Sequence, residues 1–284
     1  MGKKIVDSLA KINLGLNVVK RRTDGYHNLE TIFIPLLLSD KLTFSKSDEL
    51  RFNTNSKQLN ELNDNLVIKA IKLLERQSKR KILVDVFVEK IIPIGGGLGG
   101  GSSNAAMTLK TINKLFQLGF SFTELSEFAL ELGSDVPYFL NPVPCYAESR
   151  GEILFPLDLE LSYPILIVNS GIKIDTGWAF SKIKPSKPET NLRKIIIEKK
   201  IDITEYRNYI TNDFEEIVFK EYPIIKEIKN ELYKQGAKFA LMSGTGSTVY
   251  GIFTNLQRAY WAEEFFKYKY FTFLNTPFTK GSIT

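Results

Sequence analysis

Cysteine and histidine are almost absent, with one of each, Cys145 and His27, in 284 residues. A single thiol excludes an internal disulfide and fits a reducing compartment, so a cytoplasmic setting is expected. One cysteine and one histidine cannot build a Cys/His zinc cluster; any metal is expected to be a hard cation held by oxygen ligands and phosphate. No apolar run approaches the roughly 20 residues that a membrane-spanning helix needs. The opening Met1-Gly2-Lys3-Lys4-Ile5-Val6-Asp7 is basic but lacks the apolar centre of a secretory signal. Dense basic runs interleaved with aromatics are missing too, which argues against nucleic acid as a partner despite a net charge of +6. That surplus suits a polyphosphate substrate, and equally a solvated lysine-rich surface.

What is there is ordinary globular material, 43% hydrophobic and 25% charged. The length fits one large domain or two modest ones, each able to bury a core. Ala10, Ile12, Leu14, Leu16 and Val18 alternate with Lys11, Asn13, Gly15 and Asn17, which predicts a strand with one buried face and a solvated polar face. Thr23-Asp24-Gly25 reads as a turn. Asp64 is positioned to cap a helix carrying Val67, Ala70, Ile71 and Leu74. A second alternating strand spans 82–88, and Ala105, Leu109, Ile112 and Phe116 form the stripe of a helix. Ser121-Phe122-Thr123-Glu124 is a capping box opening a short helix that Gly133 ends.

A strand at 163–168 and a Pro/Lys/Ser loop at 184–190 come next. The last third holds a helix at 223–235, strands at 237–242 and 248–253 around Ser243-Gly244-Thr245-Gly246-Ser247, a helix at 255–267 and a strand at 269–274. Strands mixed with helices, without regular alternation, predict an α+β fold in two layers. Two domains are expected, 1–157 and 158–284.

Between the 82–88 strand and the following helix lies Pro93-Ile94-Gly95-Gly96-Gly97-Leu98-Gly99-Gly100-Gly101-Ser102-Ser103. Glycines let backbone approach a ligand closely, and a helix N-terminus offers free N–H groups and partial positive charge to an anion. Ser102 and Ser103 are placed to cap that helix or to donate to phosphate. Gly95-x-Gly97-x-x-Gly100 satisfies the dinucleotide fingerprint, but the second strand and acid it requires are missing around residues 119–121. A P-loop needs Gly-Lys-Ser/Thr, and no lysine follows these glycines.

The string from Pro93 to Ala106 resembles the ATP-binding motif of the GHMP kinases. Further blocks are similar to one branch of that superfamily: Ala10-Lys11-Ile12-Asn13-Leu14, Asp24-Gly25-Tyr26-His27, Asp64-Asn65-Leu66, Leu132-Gly133-Ser134-Asp135-Val136-Pro137-Tyr138-Phe139, and the 243–247 turn. They follow the family's order over most of the chain. Ser8-Leu9 replaces the proline expected before Ala10, Ser134 replaces an alanine, and 184–200 matches nothing. The resemblance implies a two-domain kinase with its active site in the inter-domain cleft. ATP would be the phosphoryl donor, with Mg2+ delivered by it and no dedicated metal site. The acceptor would be the 2-hydroxyl of a cytidine diphosphate-linked polyol, in non-mevalonate isoprenoid precursor synthesis. A monomer or weak dimer is expected, without nucleic-acid or membrane partners.

The same resemblance assigns roles. Asp135 is the expected general base and Lys11 its cationic neighbour; on the residues alone they read as a turn aspartate and a solvated lysine. Pro137 is expected to hold Val136 extended. Pro93 and Gly95 through Ser103 would bind ATP, with Asn65 against adenine, although Asn65 also reads as a first-turn helix residue. Asn13 would touch substrate. Tyr26, His27 and Phe180 would take the cytosine, core packing being the other reading of Phe180. Gly244, Thr245 and Gly246 would close over the substrate's diphosphate. The competing readings are a homoserine- or mevalonate-type kinase, a non-enzymatic dinucleotide-binding domain and a basic RNA-binding module.

Overall fold

The alternation from Ala10 to Val18 does make a strand, β1 (Lys4–Arg21), but a longer one, and both of its faces are buried through 10–18. The expected solvated face is therefore absent: Lys11 and Asn13 are buried with their apolar neighbours. β1 pairs with β2 (His27–Lys46). The computed structural model describes residues 2–61, 65–159, 161–188, 191–194 and 205–276.

After β2 come β3 (Arg51–Thr54), α1 (Lys57–Asn60), α2 (Leu66–Ser78), β4 (Val84–Glu89), α3 (Gly100–Leu115), α4 (Phe122–Leu132) and a 3-10 turn at Pro137–Leu140. The chain continues with β5 (Cys145–Ser149), β6 (Ile153–Pro156), β7 (Ile165–Asn169), α5 (Thr176–Lys182), α6 (Tyr206–Tyr209) and α7 (Phe214–Glu221). It closes with α8 (Pro223–Lys234), β8 (Phe239–Met242), β9 (Thr248–Ile252), α9 (Leu256–Phe266) and β10 (Phe271–Asn275). The α+β class read from the sequence holds.

Tertiary contacts divide the chain into two interleaved units. One takes in the residues through Lys11, Pro35–Ile94 and Gly99–Pro142; the other takes in Ile12–Ile34, Gly95–Leu98 and the chain from Val143 on. β1, β2 and the glycine loop each contribute to both units.

In the first unit, the last third of β2 runs antiparallel to β4, with Leu42 opposite Val88 and Phe44 opposite Val86. β3 lies parallel on the far side of β4, and a parallel neighbour needs a crossover, here α1 and α2. Val84, Val86 and Val88 are buried while Phe87 between them is exposed, the period of a half-covered strand. α2 buries Val67, Ala70, Ile71, Leu73 and Leu74 and packs with α3 and α4. Asn65 caps α2, its side chain accepting the Val67 N–H at 2.9 Å; Asp64, read as the cap, lies outside the described residues. The Ser121–Glu124 capping box on α4 is present in both directions.

In the second unit, β5 pairs antiparallel with β6 and with the start of β2. A separate antiparallel sheet has the order β10-β7-β9-β8. Helices α8 and α9 pack on it, over a core that includes Leu166, Val168, Phe214, Ile228, Leu232 and Phe266. Each such side chain contributes about 1.5–3 kcal/mol relative to exposure.

Candidate active site

The first unit carries the helical end of the glycine loop. α3 starts at Gly99, whose φ is 71°, and no side chain caps it. Ser102 and Ser103 lie inside the helix and do not cap it, because its first turn already begins at Gly100. Instead Ser103 is buried and accepts a hydrogen bond at 2.7 Å from the Ser8 hydroxyl. A side-chain-free cap leaves the first N–H groups of α3 available to an anion.

Glycine is required at residue 99 by more than φ. A Cβ there would sit 2.6 Å from the Phe139 ring and 3.3 Å from Lys11 Cε. Lys11 thus runs alongside the cap, and its Nζ lies 3.4 Å from Asp135 Oδ2. The lysine side chain is almost fully buried, whereas the aspartate is 33% exposed, so its carboxylate can meet a substrate. Asp135 sits between α4 and the 3-10 turn. Val136 is helical (φ −64°, ψ −41°), not extended as its position before Pro137 suggested. Its N–H is drawn to the Gly133 carbonyl at 3.1 Å, and Phe139 N–H bonds back to Val136 at 3.1 Å; these turn bonds outweigh the pre-proline preference.

Behind the loop, Lys90 and Asp40 form a buried ion pair at 2.6 Å. Asp40 also accepts the N–H groups of Ile91 and Ile92, at 2.7 and 2.8 Å, fixing the segment that leads into Pro93. Burial pushes the Lys90 ammonium pKa down, and Asp40 opposes that shift. Nothing in the local sequence marks this pair, since Asp40 is on β2 and Lys90 follows β4, 50 residues on.

The second unit carries the other end of the loop. Gly97 has φ +78°, and a Cβ on it would fall 2.1 Å from the Ser243 carbonyl oxygen. Ser243 Oγ donates to the Gly97 carbonyl at 3.0 Å, and Thr248 N–H to the Gly96 carbonyl at 3.2 Å. The 95–98 segment and the 243–248 turn are therefore one clasp. Asn212 closes it from behind, its amide donating to the carbonyls of Met242 and Gly244 at 2.8 Å each. Gly244 and Thr245 stay half-buried at the tip of the turn.

Asn13 joins the clasp through its N–H, 3.2 Å from Ser243 Oγ, and its side-chain amide donates to Thr31 Oγ1 at 2.8 Å. Asn212 and Thr31 were not identified from the sequence, because their partners are remote along the chain.

His27 and Phe180 come together, their rings 5.1 Å apart and nearly parallel at 29°. Phe180 also meets Phe214 edge-on at 4.9 Å, so it is both a core residue and a wall for His27. Burial, and then the charge of Arg21, hold the His27 pKa below the ordinary imidazole value. Tyr26, in contrast, is 52% exposed and lies under the Arg150 guanidinium, 4.5 Å from the ring. The turn before it is held by Arg22, which pairs with Asp24 at 3.0 Å and donates to Ser149 at 2.9 Å. Asn65 uses its side-chain oxygen to cap α2.

Among the described residues, no group of three or more His, Cys, Asp or Glu side chains is placed to hold a metal ion, and no helix is long and apolar enough to cross a membrane.

Residues 65–141 match the GHMP kinases N terminal domain, and residues 193–271 the GHMP kinases C terminal domain. With this mixed helix-and-sheet fold, the two matches define an ATP-dependent small-molecule kinase of the GHMP class. A 4-diphosphocytidyl-2-C-methyl-D-erythritol kinase from Bacteroides fragilis is 44% identical over 251 residues, 86% of this chain and 90% of its own. The crystal structure of a 4-(cytidine 5'-diphospho)-2C-methyl-D-erythritol kinase superposes with a TM-score of 0.82 at 30% identity, covering 97% of this chain and all of that one. A mevalonate kinase from Methanococcus jannaschii shares the fold alone, at a TM-score of 0.72 and 15% identity. The chain belongs to the 4-diphosphocytidyl-2-C-methyl-D-erythritol kinase family.

Proposed function

We propose that this kinase transfers the γ-phosphoryl group of ATP to the 2-hydroxyl of 4-diphosphocytidyl-2-C-methyl-D-erythritol, within the non-mevalonate route to isoprenoid precursors. The observation that carries the reading is the 3.4 Å Lys11–Asp135 pair beside the uncapped start of α3. Phosphoryl transfer asks for a positioned hydroxyl, neutralised phosphate charge and an acceptor for the hydroxyl proton. Asp135 orients the acceptor hydroxyl and takes its proton as the oxygen bonds to γ-phosphorus and the bond to ADP breaks. Lys11 offsets charge on the transferring group. The N–H groups from Gly99 through Ser102 hold the nucleotide's phosphates.

Pro93 and the glycines Gly95 to Gly101, with Leu98, shape the nucleotide loop, and Asn65 lies against adenine. His27 and Phe180, with Tyr26 on the solvent side, take the cytosine; Asn13, Gly244, Thr245 and Gly246 hold the remainder of that substrate. Mg2+ bound to the triphosphate would neutralise β- and γ-phosphate charge. The single cysteine, buried and unpaired, suits work in the cytoplasm.

The test is ADP release with 4-diphosphocytidyl-2-C-methyl-D-erythritol, homoserine and mevalonate in parallel. Turnover with the first alone is expected. Equal or faster turnover with either of the others would overturn the substrate assignment.

A further inference from the structure

Lys173, on the loop that follows β7, is idle in the scheme above, yet its side chain lies along the glycine loop. A Cβ built on Gly95 would sit 3.0 Å from Lys173 Cγ and 3.7 Å from both Cδ and Cε. The aliphatic stem therefore covers the Gly95 backbone, while the residue as a whole is exposed. No carboxylate pairs with its ammonium among the described residues.

The loop bearing Lys173 is fixed in place. Asn169 donates to Thr248 Oγ1 at 2.8 Å and accepts the Gly171 N–H at 2.9 Å. Ser247 Oγ donates to the Ile172 carbonyl at 2.5 Å, and Ile174 packs where a Cβ on Gly246 would fall, 2.9 Å away. The same turn bonds Gly96 through the Thr248 N–H at 3.2 Å. Three loops of the second unit, 95–98, 170–174 and 243–248, are thus tied into one surface, and Lys173 supplies its cation.

We propose that Lys173 is a phosphate-contacting residue whose ammonium binds the phosphoanhydride oxygens of a substrate at the Gly95–Gly97 segment. The inference rests on the nucleotide and diphosphate roles proposed above for the glycine loop and the 243–247 turn. A flexible ammonium beside backbone N–H groups adds a charge-assisted contact that the glycines alone cannot offer. The shared chemistry is a polyphosphate chain, which could belong to ATP or to the cytidine substrate.

Steady-state assays of Lys173→Ala and Lys173→Arg, with each substrate varied in turn, test it. Lys173→Ala is expected to raise one of the two KM values about tenfold and to flatten the dependence of that kcat/KM on salt. Lys173→Arg should stay within about threefold of the parent enzyme, and the thermal midpoint should not move, because the side chain is exposed. A rise confined to KM for ATP assigns the triphosphate; a rise confined to the cytidine substrate assigns its diphosphate. Unchanged KM values and an unchanged salt dependence in Lys173→Ala would overturn the proposal. If the parent enzyme releases no ADP with the cytidine substrate, the proposed function fails first. Calorimetry with inorganic pyrophosphate then decides separately: weaker binding by Lys173→Ala supports the lysine's role, and equal binding removes it.

Discussion

Asp135 combines partial exposure with a lysine that is almost wholly buried, so the pair is half scaffold and half reagent. Replacing the carboxylate by an amide keeps the shape and removes the proton acceptor. Asp135→Asn is expected to lower kcat by about a hundredfold or more while KM for ATP stays within about twofold; near-normal turnover would take Asp135 out of the chemistry. His27 titrates in a direction that can be checked. Its folded pKa is depressed by burial and by Arg21, so it is neutral at pH 7 and the unfolded chain takes up a proton first, near about pH 6.5. The stability it contributes is full above that pH and is lost as pH falls toward the folded pKa. KM for the cytidine substrate should be flat from about pH 8 to 6.5 and rise only below; a rise already between pH 8 and 7 would contradict the neutral-imidazole reading. Cys145 is buried and its thiol is pushed up to about 12 by that burial. It should resist thiol reagents at pH 8 in the native protein and react at once in denaturant.

Elements held by local rules were legible from the sequence, and elements held by remote partners were not. The capping box of α4 lies within four adjacent residues and could be read directly. The cap of α2 was misplaced by one residue, since Asp64 and Asn65 are both competent caps and only tertiary context selects between them. Lys11 looked solvated because alternation reports polarity, not exposure; what buries it, beside Gly99 and Asp135, comes from far along the chain. Val136 was misread because a turn bond to Gly133 overrides a dipeptide preference.

The Asp40–Lys90 pair gave no signal at all, and it belongs to this scale because it clamps β2 to the segment that leads from β4 into the glycine loop. Removing one partner strands the other charge in a buried site. Asp40→Ala is therefore expected to destabilise the fold by about 3–5 kcal/mol in urea unfolding; a loss below about 1 kcal/mol would mean the pair is solvated. Gly97→Ala presents a different conflict, a methyl group 2.1 Å from the Ser243 carbonyl oxygen at a φ of +78°. It is expected to spring the clasp between the loop and the 243–248 turn and to weaken substrate binding even where the protein still folds.

At the scale of the molecule, the motifs were readable because each is a contiguous string, while the compact units were not, because each is assembled from separated stretches. Gly95–Leu98 belongs to one unit and Gly99–Ser103 to the other. A Cβ at Gly97 would strike the Ser243 carbonyl and one at Gly99 the Phe139 ring, so lesions at either glycine should impair turnover. The most direct measurement of the central claim is phosphorus NMR of the reaction with ATP and 4-diphosphocytidyl-2-C-methyl-D-erythritol. One new phosphomonoester should appear for each ADP formed, with the cytidine diphosphate linkage intact and the signal lost in Asp135→Asn. ADP accompanied only by free phosphate, or a product whose diphosphate has been cleaved, would contradict the account.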